Sequence, residues 1–254
     1  MKRGPLVQQA LRIALLLLVC TLALQLVFAA RIALMAFIDP QSTTFQRSEA
    51  WRLLIDKHEV LWSQQWVDRS AISPHLQRAV IASEDGGFLD HSGVEWQAIE
   101  EAWQKNQRAE QRSARQNENQ AKKAPGREIK AKVVGGSTIT QQLAKNLLLS
   151  GERTVPRKAQ ELVLTYLLEA CLPKERILEI YLNNVEWGEG LFGAQAAAQY
   201  YFRADAARLG PEPAARLAVM LPAPKRFEKR PGSLYIAGRA ATVMARMADV
   251  KLPP

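Results

Sequence analysis

Residues Ile13 to Ala30 read IALLLLVCTLALQLVFAA, a run with no formal charge. As an α-helix that stretch alone is roughly 27 Å long at about 1.5 Å per residue, close to the hydrocarbon thickness of a bilayer. Apolar character resumes after Arg31 and holds from Ile32 to Ile38, before the helix breaker Pro40. So uniform a run has no polar face to turn to water, which argues against a buried soluble helix. Lys2, Arg3 and Arg12 precede it, so the positive-inside bias keeps the N-terminus cytoplasmic and sends the remaining chain across. Arg31 can snorkel to the far interface. The sequence therefore reads as a cytoplasmic segment (1–12) and an uncleaved transmembrane signal anchor (13–38). The competing reading is a cleaved signal peptide, because Val27-Phe28-Ala29 carries small residues suited to a cleavage site. Either way the body of the chain is exported.

The formal charge of +9 and a pI near 9.7 invite a nucleic-acid or membrane-surface partner. The distribution of that charge argues against nucleic acid. Residues 1–40 carry +3 and residues 101–132 carry +5, from nine basic and four acidic residues, so everything else sums to +1. Cys20 lies in the apolar run and Cys171 far from it, so no disulfide framework is expected.

Residues 39–70 read as a juxtamembrane linker and a membrane-proximal helix, with Trp51 to Trp66 the place for an amphipathic surface beside the anchor. Residues 71–254 form the main body of the chain. Dense helix formers with apolar faces over 138–149, 157–172, 173–184 and 213–221, and the near absence of alternating runs, make it mainly α. Between Trp103 and Lys132 the composition shifts to Gln, Asn, Lys, Arg and Ala, with Pro125-Gly126 inside it. This basic insert, about 104–132, reads as a solvated loop or frayed helix.

Gly188 to Gly193 spells GxGxxG but follows a helix-like segment, without the strand a dinucleotide site requires. His58, His75 and His91 lack zinc-site spacing, and no metal centre is predicted. No Ser-x-x-Lys or Lys-Thr-Gly occurs, so no acyl-serine penicillin-binding site is encoded. Two stretches remain. Glu84 to Gly93 (EDGGFLDHSG) gathers three carboxylates and a histidine around a paired-glycine turn. Gly135 to Leu148 opens a helix with Gly-Gly-Ser-Thr and carries Lys145 two turns on. That opening is either an anion-receptive helix start or an ordinary N-capped helix.

Together these stretches resemble the glycosyltransferase family that polymerises peptidoglycan, which includes the transglycosylase domain of the bifunctional penicillin-binding proteins. Five ordered blocks carry the resemblance between about Ser73 and Pro224. Glu84 to Gly93 is similar to EDxxFxxHxG, and Gly135 to Asn146 matches GGSTITQQLAKN. Arg157 to Glu161 (RKAQE) is similar to RKxxE, while Lys174 to Phe202 and Ala215 to Pro224 resemble the fourth and fifth blocks.

The resemblance implies a lysozyme-like helical glycosyltransferase domain behind a single transmembrane helix, in a bacterial inner membrane with the domain periplasmic. It implies that lipid II is joined into β-1,4-linked glycan strands, with inversion at the donor anomeric carbon and release of lipid pyrophosphate. Glu84 would be the general base and Glu161 the second catalytic carboxylate. Lys145 and Arg153 would hold the pyrophosphate, with Ser137, Gln142, Asp85, Asn146 and Arg157 as further substrate-binding positions. Asp85, Phe88 and His91 are expected to shape the loop around Glu84, and Asn183, Asn184 and Glu186 to brace the cleft. No cofactor is required, although the family chemistry leaves room for a divalent cation, Mg or Mn, at the pyrophosphate. Partners would be lipid II, the lipid-linked strand, membrane lipids and other cell-wall synthesis proteins, with no nucleic acid. The alternatives are a lytic hydrolase using Glu84 as general acid, or a non-catalytic tethered glycan-binding scaffold.

Overall fold

The computed structural model describes residues 5–121, 135–152 and 154–254. Eleven α-helices and one small sheet are found among them. Helix α1 (Pro5–Leu34) is long and apolar enough to cross a membrane, and its most apolar stretch has no buried residue. It ends in a turn before Pro40 rather than running to Ile38. Its last turns differ from the sequence expectation in a second way. Ile32 and Met35 are buried in the same hydrophobic cluster as the rest of the body, so this apolar segment ends as part of the fold.

The helices of the body begin where short-range chemistry says they should. Thr43 caps α2 (Thr44–Lys57) through a reciprocal capping box with Gln46, and Ser73 followed by Pro74 opens α3 (Pro74–Glu84). Helix α4 (Trp96–Ala121) absorbs the first part of the basic insert. Ala, Gln, Arg and Glu are good helix formers, and Glu101 and Lys105 pair at 2.9 Å across one turn. Of the two alternatives, loop or frayed helix, residues 104–121 are a helix, and 104–117 are largely solvated. Residues 122–132 of that insert lie outside the described residues.

Thr138 caps α5 (Ile139–Leu148), Thr154 caps α6 (Val155–Cys171), and α7 (Lys174–Asn184) follows after Pro173. Strands β1 (Ser63–Gln64), β2 (Glu186–Gly188) and β3 (Leu191–Phe192) form a sheet in the order β1-β3-β2. Here β3 is parallel to β1, with Ser63 opposite Leu191, and antiparallel to β2 through an irregular register. The GxGxxG stretch is this hairpin. A Cβ on Gly190, at φ +71°, would meet the Leu61 carbonyl oxygen at 2.0 Å, so the glycine admits a backbone contact and no nucleotide loop is formed.

Helices α8 (Ala194–Phe202), α9 (Pro211–Met220), α10 (Pro224–Phe227) and α11 (Leu234–Met247) complete the chain. Helices α3, α9 and α11 pack on one another, while α5 packs on α2, α6 and α7. One continuous core joins both groups, from Leu76, Val80 and Ile81 of α3 to Leu143 and Leu147 of α5, Leu164 and Leu168 of α6 and Ile177 and Ile180 of α7. The end of α3 and the start of α5 thereby meet, and the Glu84 and Gly135 stretches come together there.

Asn183 and Asn184 hold a different part of the fold from the cleft. Asn183 accepts from Val67 N and donates to Val67 O, and the Asn184 side-chain oxygen accepts from Gln46 and Gln64. Both fasten the segment after α1 onto α7. Glu186 likewise sits behind, beside Lys225 at 3.4 Å.

Candidate active site

Glu84 is the last residue of α3, where the helix stops and its side chain is half-buried. Its carboxylate accepts a hydrogen bond from Gln142 Nε2 at 2.9 Å, and Gln142 Oε1 accepts from the Tyr181 hydroxyl at 3.0 Å. Burial pushes the Glu84 carboxyl above the usual carboxylate range, with the neighbouring Asp85 charge adding to the rise and the Gln142 bond opposing it. Tyr181 is fully buried, and burial beside Glu84 and Asp85 keeps its phenol protonated well past the ordinary range. The chain of bonds thus runs in one direction, from Tyr181 through Gln142 to Glu84. In the sequence Tyr181 reads as part of the apolar face of the helix-forming stretch 173–184. Only its place on α7, opposite Gln142, reveals the polar role.

The loop after Glu84 is held from three sides. Asp85 is buried, with Oδ1 2.8 Å from His91 Nε2 and Oδ2 accepting from Ile139 N at 2.9 Å. His91 Nδ1 accepts from Gly93 N at 3.1 Å, so in the neutral ring the proton sits on Nε2 and is donated to Asp85. Thr138 Oγ1 donates to Gly93 O at 2.6 Å. Lys174 donates to His91 O and to Glu169, both at 2.8 Å, and lies over the Phe88 ring. Glu169 also accepts from Thr140, so it ties α5, α6 and the loop together without having stood out in the sequence. At Gly93, φ is +89° and a Cβ would approach Thr165 to 2.7 Å, so only glycine lets the loop lie on α6.

These bonds change the reading of the α5 start. Its first amide, Ile139 N, is taken by the Asp85 carboxylate, and Gln141 N is taken by Thr138 Oγ1. The anion at this helix N-terminus is the protein's own side chain, so of the two readings the N-capped helix holds.

Two cavities meet at Glu84. One, of about 620 Å³, is lined by Glu84, Asp85, Glu95, Glu101 and Lys105, together with Arg246 and Asp249. The other, of about 490 Å³, is lined by Glu84, Gln142, Lys145, Arg157, Lys158 and Glu161. Ser137 lines both. Glu161 is buried, accepting from Arg157 at 2.8 Å and pairing with Lys158 as well, so that α6 presents two cations and one carboxylate as a unit. Of the expected site residues, Glu84, Glu161, Ser137, Gln142, Lys145 and Arg157 therefore share a cavity wall. Asp85 lines only the larger cavity, while half-buried Asn146 lines neither. Arg153 lies outside the described residues.

Asp85, His91 and Glu95 bring three ligand atoms within 4.8 Å of one another. Both Asp85 oxygens and both His91 nitrogens already make the hydrogen bonds described above, so this donor set suits loop bracing better than a metal ion.

The cleft combines a carboxylate held by a neutral donor with a separate cationic wall, an arrangement suited to taking a proton on one side and stabilising a departing anion on the other. Comparison with known proteins agrees with it. A family model described as Transglycosylase matches residues 55–116 and 119–248. The chain is 50% identical over 232 residues, 91% of its length and 86% of the relative's, to a protein of Burkholderia lata named biosynthetic peptidoglycan transglycosylase. A protein of the same name from Paraburkholderia phytofirmans is 46% identical over 91% of the chain and 88% of its own length. The corresponding protein of Burkholderia thailandensis is 50% identical over 91% and 83%. With the model covering most of the chain and these relatives matching nearly all of it, the chain belongs to the transglycosylase family.

Proposed function

We propose that the chain is a peptidoglycan glycosyltransferase, joining lipid II units into β-1,4-linked glycan strands in cell-wall synthesis. The observation that carries the reading is the position of Glu84 where the two cavities meet. The acceptor sugar occupies the larger cavity, and its 4-hydroxyl oxygen attacks the anomeric carbon of the donor while Glu84 takes the hydroxyl proton. The bond from that carbon to the pyrophosphate oxygen breaks, and the lipid pyrophosphate departs along the second cavity. Attack and departure on opposite sides of one carbon invert its configuration.

Each residue has a physical task in this step. The raised pKa of Glu84 brings the base closer to working pH, and Gln142, held by Tyr181, aims its carboxylate. Lys145, Arg157 and Lys158 face the charge that develops on the leaving oxygen, and Glu161 keeps the two α6 cations in place. A hydrolase acting on uncharged glycosidic bonds has no use for this cationic wall. A divalent cation at the pyrophosphate would need oxygen ligands. Besides Glu84, Glu161 is the carboxylate lining that cavity among the described residues, and both its oxygens are engaged by Arg157 and Lys158, so this wall meets the pyrophosphate with its own cations.

Helix α1 serves as the membrane anchor, with Lys2, Arg3 and Arg12 holding the N-terminus cytoplasmic and the domain on the periplasmic face of the inner membrane. That places the cleft where a lipid-linked donor and strand reside. The test is purified full-length protein with labelled lipid II, with products separated by gel. Long lipid-linked strands are expected from the wild type and none from Glu84→Gln. Release of muropeptides from finished cell wall, or silence in both assays, would overturn the reading.

A further inference from the structure

Within the apolar run of α1 stands one residue whose polar groups cannot be satisfied by its own helix. Thr21, nearby, donates its hydroxyl to Leu17 O at 2.8 Å in the preceding turn, but Gln25 carries a primary amide that needs partners from elsewhere. It finds them on α6. Gln25 Nε2 donates to Gln160 Oε1 at 2.8 Å and Gln160 Nε2 donates to Gln25 Oε1 at 3.1 Å, a reciprocal amide pair. The same face of α1 then continues with half-buried Phe28 and Ala29 and buried Ile32, at helical spacing, and with buried Met35 in the turn that follows. At the end of this seam Arg176 donates to Met35 O at 2.7 Å and pairs with Asp39. The anchor is thus joined to the body along one stripe, with the amide pair at its membrane end.

Gln160 stands beside Glu161 and one turn from Arg157 on the helix that forms the cationic wall. The outward face of α6 carries exposed Val155, Val163 and Tyr166, apolar side chains at the spacing of a helical stripe. Gln25 lies six residues before Arg31, about 9 Å deeper along the helix axis. If Arg31 marks the interface, the pair lies within the outer leaflet and the apolar stripe of α6 meets lipid.

We propose that Gln25 and Gln160 are a positioning pair that sets the depth of α6, and with it the cationic cavity, in the outer leaflet. The proposal rests on the reading of α1 as a membrane anchor. Neither glutamine touches the reacting atoms. Their role is to present the pyrophosphate-facing cations at the height at which a lipid-linked substrate carries its phosphates. Loss of one amide leaves the other unpaired in apolar surroundings, so the clasp opens from either side.

The test uses the full chain in phospholipid nanodiscs, with a fluorophore on Val155→Cys in a background of Cys20→Ala and Cys171→Ala, and lipids carrying quenchers at defined acyl depths. In Gln25→Leu and in Gln160→Leu the label is expected to move toward the surface, and in the double variant no further than in either single one. In the same nanodiscs the KM for lipid II is expected to rise about three- to tenfold with little change in kcat, while activity in detergent micelles, which impose no depth, stays at the wild-type level. Unchanged label depth in Gln25→Leu, effects that add in the double variant, or an equal loss in detergent would overturn the proposal. Melting curves identify a variant that fails to fold, and Gln25→Leu, on a half-exposed face of the anchor, keeps the depth measurement decisive if Gln160→Leu is lost. The depth readout needs no substrate, so a wild type that is seated as expected but makes no polymer would sink the glycosyltransferase reading alone.

Discussion

Glu84 and Glu186 are both glutamates whose carboxyl groups burial pushes upward, yet they stand in opposite kinds of surroundings. Glu84 opens onto two cavities and is held by the neutral amide of Gln142. Glu186 lies on β2 behind the cleft, facing Lys225, Glu49 and Glu228, and lines neither of those cavities. A raised pKa is thus common to a candidate base and to a structural carboxylate. Access to a space that can hold a substrate is what separates them.

The sharpest way to break the comparison is to neutralise each glutamate in turn. Glu84→Gln is expected to lower polymerisation about 10³-fold with the melting temperature unchanged or raised, whereas Glu186→Gln is expected to stay within about threefold of wild type. Equal losses in a gel assay with labelled lipid II would show that burial, and not the cavity, marks the important carboxylate.

The same contrast holds for glutamates that bridge two cations. Glu161 joins Arg157 and Lys158 inside the cleft, and Glu189 joins Arg52 and Lys57 at the rear. Glu161→Ala is expected to cost about 10²-fold in kcat/KM, and Lys145→Ala a similar factor, because each disturbs the wall that meets the leaving anion. Glu189→Ala removes a partly exposed pair and is expected to change kcat/KM by less than about threefold.

How much of this could be read in advance differs between the two regions as well. The long apolar helix, the helical body and the helix start at Thr138 followed from local signals, namely apolar length and capping residues, whereas the capping box that starts α2 at Thr43 lies in a stretch that reads as linker. Glu84, Lys145 and Glu161 stood out because their blocks resemble a known pattern. The parts that escaped reading depend on long-range packing. Tyr181 and Glu169 sit in helices whose periodicity looks like ordinary core, and only α7 and α6 lying against α5 turns them toward Gln142 and Thr140. The sequence reads Asn183 and Asn184 as structural support for the cleft; the support they give goes instead to the segment after α1, at Gln46 and Val67. The sequence leaves the α5 start either anion-receptive or simply N-capped, because it does not show that Asp85, more than fifty residues earlier, takes its first amide.

A smaller effect tests what holds Glu84. The Gln142 bond favours the charged carboxylate and opposes the rise caused by burial. Gln142→Leu should therefore raise the pKa of Glu84 further, moving the acid limb of the kcat/KM profile to higher pH, with about tenfold lower activity at neutral pH. Tyr181→Phe leaves Gln142 in place but removes the donor that orients it, so a weaker loss is expected. An acid limb that stays put in Gln142→Leu would mean that the amide does not hold the base.

Glu186 supplies the last contrast, in stability rather than rate. Burial lifts its carboxyl from 4.5 to about 7, with Glu49 and Glu228 adding to the rise and Lys225 opposing it. A group that binds its proton more tightly folded than unfolded favours the fold fully below 4.5, and that contribution is lost as the pH rises through about 7. The full rise corresponds to about 3 kcal/mol. Between pH 5 and pH 8 the wild type is therefore expected to lose melting temperature, by several degrees, relative to Glu186→Gln, whose amide does not titrate. The charge on Glu49, Lys225 and Glu228 is common to both proteins, so the difference isolates Glu186. Parallel melting curves across that range would mean that Lys225 at 3.4 Å already keeps the carboxylate ionised, making the rear cluster an ordinary ion-pair network. Divergence in the expected sense would show that the protein tolerates a glutamate protonated near neutral pH away from its cleft. The distinction from Glu84 would then rest on access alone.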